Sequence, residues 1–292
     1  MNDPVGAKFA ESPVRDYVDH GRLTVPGWFT RADALLFVAI DEAQKRARVV
    51  GDIMEIGVYM GRCAVLLGYL QRPGERLVVC DIFDEVDANT SDETRREYAR
   101  FYSGLSRQAF ERNFRRFHSR LPDEIVAGPS ASFRTRLGEL RGKFRLIHID
   151  GAHDFDAVRD DIELSRELLA EGGMVVFDDV ATPHTPGVAA AVWSAVVSEG
   201  LIPHFLTTKL YASWGDVPAT CLSPLIEEWT FASQVIAGHP LLSLHERGTP
   251  RQILREWVPP AMWQKITSVA SWVLRARRLL PYTRRAATPP SP

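Results

Sequence analysis

Short, nearly continuous apolar runs alternate along the chain with longer segments in which apolar residues recur at helical spacing. The continuous runs predict seven strands, at residues 49–57, 75–83, 124–128, 144–150, 174–180, 201–208 and 209–214. The periodic segments predict helices between them, at residues 30–47, 62–71, 156–173 and 187–199. Buried strands that alternate with helices are typical of a mostly parallel sheet covered by helices on both faces. The pattern therefore predicts an α/β, Rossmann-like fold with a seven-stranded sheet.

The segments around this pattern predict three parts. The sheet domain is expected at residues 30–215, after an irregular, proline-containing N-terminal arm at residues 1–29. Aromatic residues at helical spacing predict a helical insertion at about 91–120, which serves either as a lid over the ligand site or as plain packing. A C-terminal extension at 216–292 is expected to contain a basic amphipathic helix and a disordered tail. We expect that helix to dock on protein rather than on an anionic membrane.

Composition excludes several classes of protein. The formal net charge is −2 over 292 residues, so the chain lacks the basic field that holds nucleic acid. Cys63, Cys80 and Cys221 are widely spaced and follow neither a metal nor a disulfide pattern, which favours a reducing compartment. The N-terminus lacks the apolar core of a signal peptide, and no run is long enough to span a membrane. We therefore expect a cytoplasmic protein.

A glycine-containing turn, EIGVYMG at 55–61, joins the first strand to the helix after it. Glycines at such a junction let the backbone approach a ligand, and the helix N-terminus adds a partial positive charge. The spacing differs from the dinucleotide motif G-x-G-x-x-G and fits a ligand without a pyrophosphate. A tight turn without a ligand also explains these glycines.

Asp81 stands at the end of the second strand, 24 residues after Gly57. An acid at this position is suited to accept hydrogen bonds from both hydroxyls of a ribose. A capping or solvated aspartate is the other interpretation. The glycine turn at the matching distance favours ribose binding.

Three carboxylates, Asp150, Asp178 and Asp179, follow two strands that lie 28 residues apart in the sequence. Because the carboxyl ends of parallel strands share one edge of a sheet, these acids are expected to converge. Carboxylates that converge repel one another unless a cation holds them, and hard oxygen ligands suit Mg²⁺, Mn²⁺ or Ca²⁺. The alternative is that these aspartates cap loops and never meet.

His153 lies three residues after Asp150. An imidazole beside a metal site can accept a proton from an alcohol, so His153 is a candidate general base. A surface histidine in a loop is the alternative interpretation.

These pieces together resemble the class I S-adenosylmethionine (SAM) methyltransferases, and more narrowly the metal-dependent O-methyltransferases. The likeness spans roughly residues 25–215 and rests on the segments VPGWFT, MEIGVYMGRCAVLLG, VVCDIFDE, VAGPSASF, LIHIDGAHDFDAVRDDIE and LLAEGGMVVFDDV. The last two are the most specific, because unrelated Rossmann proteins rarely carry both. VPGWFT and CDIF favour the bacterial enzymes that methylate sugar or polyketide hydroxyls over the more distant catechol enzymes. The resemblance implies the class I methyltransferase fold, SAM as cofactor, and Mg²⁺ or another divalent cation.

The resemblance also implies a role for each site residue. The residues that it assigns to cofactor binding are Glu55, Gly57, Tyr59, Gly61, Cys63, Asp81, Ser130 and Asp150. The metal ligands that it implies are Asp150, Asp178 and Asp179, and Asp150 and His153 are the catalytic residues, with His153 as general base. Cys63 departs from the family, which commonly has Ser or Thr near the SAM carboxylate, and a thiol is a weaker hydrogen-bond donor.

The sequence therefore predicts a SAM-dependent O-methyltransferase that methylates a hydroxyl of a sugar or natural-product acceptor, assisted by Mg²⁺. A catechol-like phenol is the alternative acceptor. Other functions also fit parts of the pattern: an NAD oxidoreductase, a nucleotide-sugar glycosyltransferase with the Asp178–Asp179 pair at its metal, or a non-enzymatic SAM-binding module. The G-x-G-x-x-G motif is missing, which weighs against an NAD oxidoreductase. The acid pair lies on a late strand, which weighs against a glycosyltransferase. The three acids and His153 are all present, which weighs against a non-enzymatic module. The oligomeric state is left open, a homo-oligomer included.

Overall fold

A computed structural model describes residues 12–83, 104–215 and 229–246 of the chain. Its α-helices are α1 Pro13–Asp19, α2 Arg31–Arg46, α3 Arg62–Leu70, α4 Arg107–Phe114, α5 Leu137–Leu140, α6 Phe155–Leu168 and α7 Pro186–Ser198. Short 3-10 helices occupy Gly21–Thr24 and Ser130–Arg136. Its strands are β1 Asp52–Ile56, β2 Leu77–Asp81, β3 Glu124–Ala127, β4 Phe144–Ile149, β5 Leu169–Phe177, β6 Ile202–Leu206, β7 Leu210–Ser213, β8 Trp229–Ile236 and β9 His239–Glu246.

The described strands form one mixed sheet in the order β3-β2-β1-β4-β5-β7-β6-β9-β8. The first five strands in this order are parallel, and β7 pairs with β5 in the antiparallel direction. Two hydrophobic clusters cover the two faces, and the neighbouring residues Ile53 and Met54 of β1 enter different clusters. This alternation is the consequence of the two-residue repeat of a strand, and it confirms the predicted α/β fold with helices on both faces.

The described residues already form nine strands of one sheet, so the predicted number of seven is wrong. The additional strands β8 and β9 form an antiparallel hairpin, and β9 joins the sheet beside β6. Ala237 and Gly238 both have positive φ, 50° and 84°, as the two central residues of a type I′ turn require. Because alanine rarely adopts this conformation, the turn signal in the sequence is weak here.

Within residues 12–29, the N-terminal arm is more ordered than the predicted irregular segment. Pro13 begins α1, where the missing N–H costs nothing, and Ser12 caps the helix by accepting from the Arg15 N–H at 3.2 Å. The buried Tyr17 hydroxyl donates to the Arg62 carbonyl at 2.5 Å. The arm therefore packs directly on the start of α3.

The predicted end of the helix at 156–173 is wrong. Helix α6 begins at the predicted place, where the Asp154 side chain accepts from the Ala157 N–H at 3.0 Å, but it ends at Leu168. Gly172 and Gly173, the last two residues of the predicted helix, lie inside β5. At Gly172, φ is +71°, and a Cβ would lie 2.9 Å from a methyl carbon of Val49, so glycine serves a close approach of two chain segments.

Part of the predicted insertion at 91–120 lies within the described residues. There, Phe110 and Phe114 of α4 are buried in the same hydrophobic cluster as α3. This portion is packing; a lid remains a prediction for residues outside the described part. The basic amphipathic helix and tail predicted within 216–292 also lie outside the described residues.

None of the helices within 12–83, 104–215 and 229–246 has the length and apolar content that a membrane span requires.

Candidate active site

The carboxyl ends of β1, β4 and β5 bring the predicted site segments to one edge of the sheet. Parallel pairing sets their stagger: the Asp150 N–H donates to the Ile56 carbonyl at 2.8 Å, and the Asp178 N–H donates to the Ile149 carbonyl at 2.9 Å. The glycine turn that follows β1 therefore lies beside the acids that follow β4 and β5.

The glycine turn has a shape that only glycine permits at its start. Gly57 has φ +81°, and a Cβ there would lie 1.9 Å from the Asp150 carbonyl oxygen. Gly61, at φ +93°, is the residue before α3. Tyr59 also has positive φ, 47°, and its ring stacks on Trp28 with centroids 5.5 Å apart. The turn is thus held against the segment after β4 on one side and the N-terminal arm on the other.

The Asp81 carboxylate holds the same turn in place through hydrogen bonds. One of its oxygens accepts from the Val58 and Tyr59 N–H groups at 2.8 and 2.9 Å, and the other accepts from the Phe83 N–H at 2.8 Å. Both oxygens of Asp81 therefore accept hydrogen bonds from backbone amides. The sequence did not predict this role for Asp81, and ribose binding stays a prediction.

Asp150, Asp178 and Asp179 do converge. One potential ligand atom from each of Asp150, His153 and Asp179 lies within 4.8 Å of the others, and the same holds for His148, Asp150 and Asp178. We call Asp150, His153, Asp178 and Asp179 the acidic cluster. Asp179 itself has φ +59°, a conformation that turns the backbone sharply after β5.

The acidic cluster has internal partners. His153 Nε2 lies 3.2 Å from the Asp179 carboxylate, and the Thr182 hydroxyl donates to the same group at 2.8 Å. Although burial raises the pKa of Asp179, these contacts outweigh burial and lower that pKa to about 2. Burial and the neighbouring Asp178 raise the pKa of Asp150 well above its usual range.

Lys209 belongs to the site, although no motif in the sequence indicated it. This lysine precedes β7, and its buried ammonium contacts the Asp178 carboxylate. Burial opposes a charged lysine, but Asp178, Asp150 and Asp33 outweigh it and raise the pKa of Lys209. The available signal was positional: the residue before a strand that pairs in the antiparallel direction with β5 lies at the carboxyl end of β5.

Behind the acidic cluster lies a second buried group. His148 Nδ1 lies 2.9 Å from Glu55 Oε1, and the Cys63 thiol is within 4.8 Å of both side chains. Burial raises the pKa of Glu55 to about 8 and lowers the pKa of His148, so this is a neutral pair at pH 7. Cys63 thus faces the interior beneath the glycine turn.

Ser130, predicted to bind the cofactor, begins the 3-10 helix after β3. Its hydroxyl donates to the Asp161 carboxylate of α6 at 2.5 Å. Burial raises the pKa of Asp161 to about 7. The serine therefore joins the β3 edge of the cleft to α6, and a contact with a cofactor stays a prediction.

The acidic cluster fits a divalent cation by its donor chemistry. Carboxylate oxygens from two chain segments lie within bridging distance, and they carry more negative charge than the nearby cations balance. Both oxygens of Asp178 already have partners within the protein: one contacts Lys209, and the other accepts from the Asp179 N–H at 2.7 Å.

Comparison with protein families identifies the segment that carries this edge of the sheet. Residues 54–180 match the family model described as a methyltransferase domain, a range that includes the glycine turn and the acidic cluster. This segment is similar to a methyltransferase domain. The match confirms the predicted enzyme class, a SAM-dependent methyltransferase with a class I fold.

Solved structures with similar backbones include three methyltransferases. The O-methyltransferase NovP is 18% identical, with 64% of this chain and 82% of that chain covered and a TM-score of 0.46. CalS11, a TDP-rhamnose 3′-O-methyltransferase of calicheamicin biosynthesis, is 17% identical, with 74% and 97% covered and a TM-score of 0.43. The S-adenosylhomocysteine-bound methyltransferase PaMTH1 of Podospora anserina is 16% identical, with 73% and 94% covered and a TM-score of 0.46. No curated protein matches the chain significantly.

Proposed function

We propose that this chain is a SAM-dependent O-methyltransferase that methylates a hydroxyl group of a sugar or natural-product acceptor in the cytoplasm. The observation that carries the proposal is the contact between the glycine turn and the acidic cluster: Gly57 lies against the Asp150 carbonyl, at the same sheet edge as Asp178 and Asp179, inside a methyltransferase domain. A methyl donor on the turn would then lie next to groups that can hold and deprotonate a hydroxyl.

The turn and its neighbours would bind SAM. Gly57 and Gly61 let the backbone approach the methionine part, where the N-terminus of α3 favours the carboxylate. Tyr59, Cys63 and Glu55 lie around the turn. Asp81 fixes the shape of the turn and is the proposed partner of the ribose hydroxyls. Ser130 lies at the end of β3, where an adenine would extend. Asp150 adjoins the turn through its carbonyl.

The acidic cluster would hold the acceptor and a divalent cation. The oxygens of Asp150, Asp178 and Asp179 are the proposed ligands of Mg²⁺, which when bound lowers the pKa of a coordinated hydroxyl. His153 is the proposed general base, and the Asp179 carboxylate at 3.2 Å would stabilise the imidazolium that forms.

The reaction balances with these groups. The acceptor oxygen forms a bond to the methyl carbon of SAM while the carbon–sulfur bond breaks. The electron pair of the carbon–sulfur bond stays on sulfur, which gives S-adenosylhomocysteine. The hydroxyl proton passes to His153. Holding oxygen, methyl and sulfur in line supplies much of the acceleration, since effective molarities of well-oriented groups reach about 10⁵ M or more.

A His153→Gln variant should lose turnover and keep SAM. We expect kcat to fall by about 10²–10⁴-fold, the usual contribution of a general base, with an unchanged dissociation constant for SAM. Single-turnover methyl transfer and calorimetry with SAM measure the two quantities. His20, which directly follows α1 and whose side chain is 79% exposed, provides the matched control as His20→Gln. Undiminished turnover by the His153→Gln protein would remove the base assignment.

The proposed function is tested by methyl transfer from SAM to a panel of glycosides and phenols, with Mg²⁺ and with EDTA. We expect methylated glycoside that disappears with EDTA. Preferred methylation of catechols would establish the alternative acceptor. Absence of methylated product from every hydroxyl compound, with methyl transfer to nitrogen or sulfur acceptors instead, would contradict the proposal.

A further inference from the structure

Lys209 occupies a place in the fold that fixes its contact with the acidic cluster. Phe177 of β5 pairs with Leu210 of β7, so the antiparallel register puts Lys209 opposite Asp178. The connection from β6 is closed by the Thr207 N–H, which donates to the Lys209 carbonyl at 2.9 Å. The Lys209 side chain is buried, and its ammonium contacts the Asp178 carboxylate.

The surroundings of Lys209 are built for a cation. The buried Asp33 carboxylate attracts the ammonium electrostatically. This carboxylate is fixed by hydrogen bonds that it accepts from the hydroxyls of Thr207 at 2.6 Å and Tyr211 at 2.7 Å. The Phe29 ring lies 5.7 Å from the ammonium, within the range of a cation–π contact. The lysine is therefore held from the interior side and does not depend on a ligand in the cleft.

The charges of the site suggest what this lysine does. Asp150, Asp178 and Asp179 carry three negative charges when ionised, and Lys209 balances one of them. The two negative charges that remain match the charge of one divalent cation. Such a site can lose its metal without leaving Asp178 buried and uncompensated, because the ammonium stays in contact with it.

We propose that Lys209 is a positioning residue of the acidic cluster: it is an internal counter-cation that holds Asp178 when no divalent cation is bound and weakens the binding of that cation. The inference rests on the proposed function only for the location of the metal. Without Lys209, the cluster binds a divalent cation more tightly and needs that cation for its stability.

The test compares the wild type with Lys209→Met, in the absence of SAM and acceptor. Titration calorimetry with Mn²⁺ is expected to show at least about tenfold tighter binding to the variant, since a like charge near the metal is removed. Thermal denaturation is expected to show a lower Tm of the variant in EDTA and its recovery with Mn²⁺. Lys143→Met, at an exposed lysine before β4, is the control and is expected to behave like the wild type.

Other outcomes overturn the proposal. A Lys209→Met protein with unchanged or weaker Mn²⁺ binding, or with a lowered Tm that Mn²⁺ does not restore, assigns Lys209 a purely structural role. If Lys209→Met does not fold, the double variant Lys209→Met/Asp178→Asn decides. We expect it to fold in EDTA because both charges are gone, and failure to fold contradicts the inference.

The outcome is separable from that of the proposed methyl transfer. Tighter Mn²⁺ binding by Lys209→Met supports the role of Lys209 even if no methylated product is found. Absence of Mn²⁺ binding to both proteins overturns the role of Lys209 but leaves a metal-independent methyl transfer to be measured.

Discussion

Replacement of Asp150 by asparagine should abolish metal binding and methyl transfer together. Asp150 is the acid shared by both groups of potential metal ligands, and its backbone is fixed by the Ile56 carbonyl, so asparagine keeps the shape and removes only the charge. Cation stabilisation of a developing alkoxide is worth several kcal/mol, and about 4 kcal/mol corresponds to a roughly 10³-fold lower kcat. Radiolabelled SAM turnover and Mn²⁺ calorimetry on the same preparation measure both effects.

Asp156 provides the matched control for this experiment. It is an exposed acid in the first turn of α6, outside the acidic cluster. Asp156→Asn should leave turnover and metal binding within about twofold, because an exposed charge is screened by water. An Asp150→Asn protein that turns over at the wild-type rate would show that the acidic cluster has no part in catalysis.

Substitution of alanine for Gly57 should unfold the site edge of the sheet or the whole domain. The new Cβ would lie 1.9 Å from the Asp150 carbonyl oxygen, a backbone atom that cannot move without breaking the pairing of β1 with β4. The left-handed φ of +81° adds a cost of about 1–2 kcal/mol for any residue with a Cβ. We expect a loss of several kcal/mol in the free energy of unfolding, measured by urea denaturation.

A variant at Gly74 separates the effect of the steric clash from the effect of the positive φ. Its φ is +87°, close to that of Gly57, but no heavy atom lies within 4 Å of the place that a Cβ would take. Gly74→Ala should therefore cost only the conformational term of about 1–2 kcal/mol. Equal losses for both variants would mean that the contact between the glycine turn and Asp150 does not constrain the fold.

The sequence predicted the central fold because its strands and helices carry strong periodic patterns. The apolar run predicted as a strand at 144–150 is β4, Phe144–Ile149, and the helix predicted at 30–47 is α2, Arg31–Arg46. The errors arose where contacts between distant segments of the chain determine the local structure. Gly172 resembles a helix cap in sequence, but it serves the approach of Val49 inside β5.

The candidate site was predictable to the extent that it follows from parallel strand ends. The convergence of Asp150, Asp178 and Asp179 follows from that topology alone. Lys209 was not predicted because a lysine beside a turn is usually exposed, and its burial depends on the antiparallel register of β7 on β5. The backbone amides that occupy Asp81 belong to a turn whose path the sequence does not specify.

A crystal structure with S-adenosylhomocysteine and Mn²⁺ would locate the cofactor and the cation in one experiment. We expect anomalous density for Mn²⁺ between the carboxylates of Asp150 and Asp179, with the cofactor sulfur over the turn that contains Gly57 and facing the metal. Cofactor bound away from this turn, or bound there with the carboxylates of the acidic cluster turned away from an empty space, would rule out metal-assisted methyl transfer at this edge of the sheet.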